Sequence, residues 1–252
     1  MMKIDINSDL GEGAGNDEAV MEYISSANIA CGYHAGDADS MYKTIQLALK
    51  NNVAIGAHPG YDDKENFGRT AMDLSPSEVK RIVKDQLETI KTIAERLGAK
   101  IEHIKAHGAL YNQAASNQTQ ALAIAEAVYE MDPKLIFVGL ANSLMIDVAK
   151  GVGLRTASEV FADRAYTNEG FLVPRGMEGA VIHDADICKK RVLKMLRDSV
   201  VESIDGVEIA IQADTVCIHG DNPQALELAK AIHDYLLDNG VEIRSMSKLN
   251  HL

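Results

Sequence analysis

Histidines recur in one setting along this chain, directly after short apolar runs and just before a glycine. Four of the eight histidines, His34, His58, His107 and His219, have a glycine within two residues on their C-terminal side. Glycine lets a backbone turn sharply or approach a ligand closely, and an imidazole titrates near neutral pH. The pattern predicts a site where histidines carry general acid–base chemistry.

Charged and polar side chains follow the same apolar runs and extend the candidate site. The residues that we expect to act in catalysis are Asp9, Glu12, His34, His58, Lys105, His107, Asp163 and His219. Those that we expect to bind substrate are Asn7, Asp37, Glu159, Arg164 and Asp221. Asp37 and Asp221 have an alternative role as helix N-caps.

Two cations in this set need negative partners. Lys105 lies between Ile104 and Ala106 in an apolar run, where an unpaired ammonium would be costly. We therefore expect it to meet a carboxylate, a phosphate or the substrate, and a structural ion pair with a core carboxylate is the alternative. Arg164 offers a fork for a substrate carboxylate, or forms a structural salt bridge with Glu159 or Asp163.

Most of these residues stand at the ends of predicted strands. The strands are predicted at Met2–Asn7, Ala27–Cys31, Val53–Ala57, Ile101–Ala106, Leu135–Gly139, Leu154–Glu159, Thr215–His219 and Val241–Ser245. Helical patterns separate most of them, at Ser40–Lys50, Ser75–Gly98, Gln118–Met131, Asp184–Ser199 and Asn222–Gly240. In the second of these, Ser75 is the predicted N-cap and Glu78 completes a capping box.

Alternation of strands and helices implies a parallel sheet, either open or closed. A barrel gathers the C-terminal ends of all its strands on one face, whereas an open sheet spreads them along an edge. The repeated polar residues at strand ends therefore favour the barrel. We predict an α/β fold, an irregular TIM-like β/α barrel with seven regular strands in a single domain over residues 1–252. The irregularity is assigned to the sixth run, Leu154–Glu159, whose pattern is weak.

Composition excludes several classes of partner. The net charge is −12, so no basic stripe is available for a nucleic-acid backbone. Neither a signal peptide nor a membrane span is apparent, and we expect a cytoplasmic protein. Cys31, Cys188 and Cys217 form no CxxC pair, which indicates reduced thiols. A nucleophilic Cys31 or Cys217 is the alternative to an inert buried thiol.

Eight ordered stretches together resemble one protein family. They are "DINSDLGEG", "NIACGYHAGD", "IGAHPGYDD", "FGRTAMDLSP", "IKAHGALYN", "EVFADRAY", "FLVPRGMEGAVIHD" and "VCIHGDNPQAL". In this order and spacing they are similar to the LamB/YcsF family, the A subunits of bacterial 5-oxoprolinases. The resemblance covers nearly the whole chain.

The resemblance implies a distorted β/α barrel related to glycoside hydrolases and polysaccharide deacetylases. It also implies an enzyme that, with partner subunits B and C, opens 5-oxo-L-proline to L-glutamate at the expense of ATP. Related deacetylase barrels hold a divalent metal ion with one aspartate and two histidines, and Asp9, His58 and His107 fit by strand order. Homo-oligomerisation is left open.

The location of ATP is also open, because the chain has no GxxxxGK[ST] motif and a P-loop is excluded. ATP must bind in an unfamiliar arrangement at the barrel mouth, or a partner carries part of that task. Two alternatives to the 5-oxoprolinase interpretation are kept. One is an autonomous metal-dependent deacetylase or sugar hydrolase, and the other is a non-catalytic ligand-binding subunit.

Overall fold

The computed structural model describes residues 2–218, 225–249 and 252 of the chain. Its strands are β1 (Lys3–Leu10), β2 (Ser26–Ala30), β3 (Ala54–His58), β4 (Ile101–Lys105), β5 (Ile136–Leu140), β6 (Arg155–Phe161), β7 (Val200–Glu202), β8 (Glu208–Ala210), β9 (Thr215–Ile218) and β10 (Glu242–Ile243). Its α-helices are α1 (Asp17–Val20), α2 (Ala38–Asn51), α3 (Pro76–Arg96), α4 (Gly108–Ser116), α5 (Gln118–Met131), α6 (Leu144–Val152), α7 (Ala185–Asp198) and α8 (Ala225–Asp238). Short 3₁₀ turns cover Lys64–Asn66 and Met246–Lys248.

Seven parallel strands close into a barrel, as the sequence pattern predicts. Strands β1 to β6 follow one another in order, and β9 joins β6 to β1. On one edge of β9, Thr215 pairs with Asp5 of β1, and on its other edge Thr215 pairs with Glu159 of β6. The carboxyl ends of all seven strands therefore meet on one face.

The irregularity of the barrel lies elsewhere than predicted. The sixth run forms β6, a full strand of seven residues. The eighth run is the reduced one, because β10 pairs with β1 only at Lys3 and Ile4. Strands β9 and β2 pair with β1 over Asp5–Ser8 and Asn7–Leu10, so only the first residues of β1 remain for β10, which stays outside the closed barrel. Between β6 and β9 the chain instead forms α7 and the separate antiparallel hairpin of β7 and β8.

The predicted helices are present, and three further helices form among the described residues, the short α1 together with α4 and α6. Helix α3 begins with the predicted capping box, in which Ser75 accepts from the Glu78 backbone and Glu78 accepts from that of Ser75. Helices α4 and α6 were not predicted; each has only nine residues, and α4 has no side-chain cap. No described helix is both long and apolar enough to cross a membrane.

The barrel interior is filled by polar side chains from alternate strand positions. Asp5, Asn7 and Asp9 of β1 point inward in three successive levels, because successive strand residues face opposite sides. Asp5 accepts hydrogen bonds from Ser26 and Thr215 at the lowest level. Such a core needs complete hydrogen bonding, because a buried polar group without a partner is costly.

Candidate active site

A cavity of about 560 Å³ opens at the carboxyl ends of the barrel strands. It is lined by Asp9, Glu12, His58, Arg69, Lys105, Ala106, His107, Gly108, Ala109, Tyr111, Asn112, Ala115, Ser116, Leu140, Phe161, Arg164, Phe171, Leu172, Pro174 and Arg175. Its volume is within the range of small-molecule sites, about 300–1,000 Å³. Five of the residues predicted to act in catalysis, Asp9, Glu12, His58, Lys105 and His107, lie on its lining.

Glu12 and three histidines converge beside this cavity. The Glu12 Oε1 atom lies 3.0 Å from His34 Nε2, 3.4 Å from His107 Nδ1 and 3.8 Å from His58 Nε2. One donor atom from each of the four residues lies within 4.8 Å of the other three. Imidazole nitrogens with a carboxylate oxygen are ligands that suit zinc, manganese and similar ions. These residues could hold a metal ion.

Backbone carbonyls fix the tautomers of two of these rings. His58 Nδ1 lies 2.8 Å from the Lys105 carbonyl oxygen, and His107 Nε2 lies 2.9 Å from that of Phe67. A carbonyl only accepts hydrogen bonds, so both nitrogens carry a proton. The other two nitrogens, His58 Nε2 and His107 Nδ1, are 2.9 Å apart. Two facing lone pairs would repel at this distance, so the site requires a proton or a metal cation there.

The charges around the rings place that proton on His58. Burial lowers the pKa of His58, but the negative charge of Asp9, 3.4 Å away, raises it above its ordinary value overall. Burial, reinforced by the charge of His58, lowers the pKa of His107 to about 2 and that of His34 to about 3. In the metal-free protein these two rings are therefore neutral at physiological pH.

His34 differs from the other two histidines in its hydrogen bonding. Its ring stacks on that of His107, with centroids 3.8 Å apart, and its Nε2 donates to Glu12. Its Nδ1 is buried and has no hydrogen-bond partner in the described part of the chain. A glycine is required alongside it, because a Cβ at Gly68 would lie 2.7 Å from the His34 Cβ. Packing thus holds the ring where it orients the Glu12 carboxylate.

Lys105 joins two carboxylates inside the barrel. Its Nζ lies 2.9 Å from Asp9 Oδ1 and 2.8 Å from Glu159 Oε1, and the lysine is 3% exposed. Burial lowers the pKa of Lys105, but these carboxylates raise it well above its usual value. Of the partners considered from the sequence, a core ion pair is therefore the one that forms. Asp9 is also held by Asn28, whose Nδ2 lies 2.8 Å from Oδ1.

Several residues of this network were missed by sequence reasoning. Asn28 accepts from His103 Nε2 at 2.9 Å, and Tyr111 donates to Glu159 Oε2 at 2.7 Å. Asn28 and Tyr111 fall within quoted motifs, but His103 precedes its motif inside a strand and has no neighbouring glycine. Only the inward-facing parity of β2 and β4 could have indicated Asn28 and His103.

The structure replaces Asp9 in the predicted metal-ligand set of Asp9, His58 and His107. The clustered groups are Glu12, His34, His58 and His107. The Asp9 carboxylate points into the barrel interior, where it accepts hydrogen bonds from Lys105 and Asn28. Glu12 follows Gly11, whose positive φ of 74° turns the chain back over the strand ends.

The remaining predicted residues lie in different places. Asn7 and Glu159 are fully buried beneath the cavity and bond to each other through Asn7 Nδ2 and Glu159 Oε1. Asp37 is exposed and caps α2 by accepting from the Ser40 backbone. Asp163 is buried without lining the cavity, and Arg164 lines it.

Two predicted residues, His219 and Asp221, lie outside the residues that the structure describes. The cavity also brings in Arg69 and Arg175, which lie in quoted motifs but received no role from the sequence. The predicted thiols are buried and free of disulfides, and burial raises the pKa of Cys31 to about 12. This makes an activated Cys31 nucleophile unfavourable.

Comparison with known proteins decides the family. The model of the LamB/YcsF family matches residues 4–251 of this chain. This chain belongs to the LamB/YcsF family. A relative from Oceanobacillus iheyensis, named as the A subunit of 5-oxoprolinase, is 49% identical over 247 residues, covering 96% of each protein. A protein of the same name from Campylobacter jejuni is 51% identical over 248 residues, covering 96% of this chain and 97% of that protein.

Two solved structures resemble this chain to different degrees. The lactam utilization protein from Thermus thermophilus is 41% identical, with a TM-score of 0.91 over 96% of this chain and 99% of that one. The peptidoglycan deacetylase PdaC from Bacillus subtilis has a TM-score of 0.52 at 12% identity, over 99% of this chain and 91% of that one. The second likeness concerns the fold alone.

Proposed function

We propose that this chain is the hydrolytic subunit of an ATP-dependent 5-oxoprolinase of the cytoplasm. With partner subunits B and C it would open 5-oxo-L-proline to L-glutamate, while ATP goes to ADP and phosphate. Relatives about half identical across the whole chain are named as A subunits of 5-oxoprolinase. The observation that carries the proposal is the cluster of Glu12, His34, His58 and His107 beside a cavity sized for a small molecule.

The proposal includes a divalent metal ion held by Glu12, His58 and His107. The fit rests on the two ring nitrogens, His58 Nε2 and His107 Nδ1, which face each other at 2.9 Å with their outer nitrogens bound to carbonyls. Outer hydrogen bonds of this kind orient metal-binding histidines in proteins. Such an ion would supply Lewis-acid polarisation of the lactam carbonyl and a lowered pKa for water. His34 is assigned the orientation of Glu12, to which it donates.

Asp9 is the group best placed to move protons during hydrolysis. Its Oδ1 is fixed by Lys105 and Asn28, and its Oδ2 faces the cluster, 3.4 Å from His58 Nε2. Opening a lactam requires removal of a proton from attacking water and delivery of a proton to the departing nitrogen. One carboxylate beside the reacting atoms can do both, and such catalysis typically contributes about 10²–10⁴-fold. Lys105 holds Asp9 in place for this role.

Reconstitution tests the activity. The purified chain is assayed for oxoproline-dependent ATP hydrolysis alone, with partner subunits B and C, and as D9N in the same complex. We expect activity only in the complex and a loss of about 100-fold or more in D9N. Cleavage of acetylated sugars by the isolated chain would favour the deacetylase alternative. Full activity of the complex with D9N would assign this chain a ligand-binding role or move the proton transfer elsewhere.

Calorimetry with Zn²⁺ tests the metal centre independently of activity. We expect the wild-type chain to bind Zn²⁺ with release of about one proton near pH 7, because the proton on His58 must leave. H107N should weaken binding at least about tenfold, and H34N should weaken it less. H233N, which changes a histidine on α8 that is not part of the cluster, is the matched control. Equal affinities of H107N and H233N would contradict the ligand assignment.

A further inference from the structure

The cavity carries more positive than negative groups. Its lining contains Arg69, Lys105, Arg164 and Arg175 against two carboxylates, in a chain whose net charge is −12. Lys105 is already paired with Asp9 and Glu159. A cationic cavity in an acidic protein attracts and concentrates anions. The lining therefore indicates a negatively charged ligand.

One of these arginines shapes the cavity rim. The chain after β6 folds back on itself through the bridges of Tyr166 with Leu172 and of Arg164 with Val181. Within this fold the Arg164 guanidinium donates from Nη2 to the Val173 carbonyl at 2.6 Å and from Nε to the Ala180 carbonyl at 3.4 Å. Those two carbonyls flank the tip at residues 174–179. Arg164 thus fixes the base of this tip.

Arg175 lies on the tip, exposed, and lines the cavity. Burial, and then the charge of Arg175, lowers the pKa of Arg164 to about 10, while the charge of Asp163 acts in the opposite direction. Neither forms an ion pair with a carboxylate among the described residues. Two cations on one cavity lining that lack an ion pair within the described ranges are stabilised when an anion binds between or beside them.

We propose that Arg175 binds the carboxylate of 5-oxoproline and selects it over neutral lactams, and that Arg164 is the positioning residue that holds Arg175 at the cavity mouth. This inference rests on the proposed function. In 5-oxoproline the carboxylate and the lactam carbonyl lie on opposite sides of the ring nitrogen. A ligand with its carbonyl at the Glu12–histidine cluster therefore directs its carboxylate away from that cluster. The planar guanidinium fork matches a carboxylate in two hydrogen bonds.

The test compares R175Q with R81Q, a control that removes one exposed arginine from α3 and changes the net charge equally. Steady-state KM values for 5-oxoproline and ATP are measured in the complex with subunits B and C. Inhibition by 2-pyrrolidinone, which lacks the carboxylate, is measured alongside. We expect R175Q to raise the KM for 5-oxoproline about 10- to 100-fold, as for the loss of a charged hydrogen bond. The KM for ATP and the inhibition constant of 2-pyrrolidinone should stay within about twofold.

Further variants separate specificity from a structural effect. R164K retains the charge but cannot bridge both carbonyls, so it should raise the KM for 5-oxoproline without changing inhibition by 2-pyrrolidinone. If R175Q and R164K weaken 5-oxoproline and 2-pyrrolidinone equally, the inference is overturned and both arginines have only a structural role. A changed KM for ATP alone would overturn it in favour of a phosphate site.

A binding measurement distinguishes failure of this inference from failure of the proposed function. Calorimetry of the isolated chain with 5-oxoproline should show binding that R175Q loses and R81Q keeps. If the wild-type complex turns over 5-oxoproline and R175Q is unchanged, the inference fails while the function stands. If the wild-type chain and complex neither bind nor hydrolyse 5-oxoproline, the proposed function fails and the inference with it.

Discussion

Replacing Lys105 by methionine removes one buried ammonium and keeps most of the aliphatic stem. In the folded protein the ammonium lies 2.9 Å from Asp9 and 2.8 Å from Glu159. The variant leaves Glu159, which is 0% exposed, with the neutral donors Asn7 and Tyr111. An uncompensated buried charge of this kind costs about 3–5 kcal/mol. We therefore expect K105M to lower the free energy of unfolding by this amount.

Urea unfolding at pH 7, followed by circular dichroism, measures the loss. The matched control is K84M, because Lys84 pairs with Glu130 at the exposed surface of α3 and should contribute only about 0–1 kcal/mol. The double variant K105M/E159Q removes the stranded charge. It should be at least about 1 kcal/mol more stable than K105M.

Two results would refute this reasoning about Lys105. One is a K105M unfolding free energy within about 1 kcal/mol of the wild type, which would mean that the ammonium's desolvation cost cancels its two ion pairs. The other is a double variant no more stable than K105M, which would mean that Glu159 is not the stranded group. A change in the slope of the unfolding free energy against urea concentration would instead indicate a change in the compactness of the denatured or native state.

Four other variants test three separate features of the structure. G56A should lower the free energy of unfolding in urea by about 3 kcal/mol or more, because its Cβ would lie 2.1 Å from His103 Nε2. G151A, a helix position in α6 with open space around it, should instead raise that free energy by about 0.5–1 kcal/mol. Burial raises the pKa of Asp5 to about 6, so between about pH 4 and pH 6 the folded protein holds a proton that the unfolded chain releases. The free energy of unfolding of the wild type should therefore fall relative to that of D5N, by at most about 3 kcal/mol, as the pH rises through this range. H107N should lose about 100-fold or more of the turnover of the complex without a lower melting temperature, and retained turnover would remove His107 from the site.

Local sequence patterns determined the order of the elements. Alternating apolar runs and capped helical segments predict the seven barrel strands and the long helices, because hydrophobic periodicity and capping are local properties. Helix α3, with Ser75 and Glu78 as its capping box, is the clearest case. The collection of His58, His107 and Lys105 on one face follows from barrel closure, which brings strand ends together whatever their separation along the chain.

Contacts between distant residues could only be read from the tertiary structure. Asp9 lies one residue before the end of β1 and Glu12 follows the strand, and no sequence pattern shows which of them binds a metal ion and which pairs with Lys105. Their roles separate because Asp9 faces the barrel interior, beside Asn28 and Lys105, while Gly11 turns Glu12 back toward the histidines. The reduction of the eighth run to β10 likewise depends on β2 and β9 pairing with the rest of β1. Pairing and side-chain direction of this kind are decided by packing between segments far apart in sequence, which local periodicity does not encode.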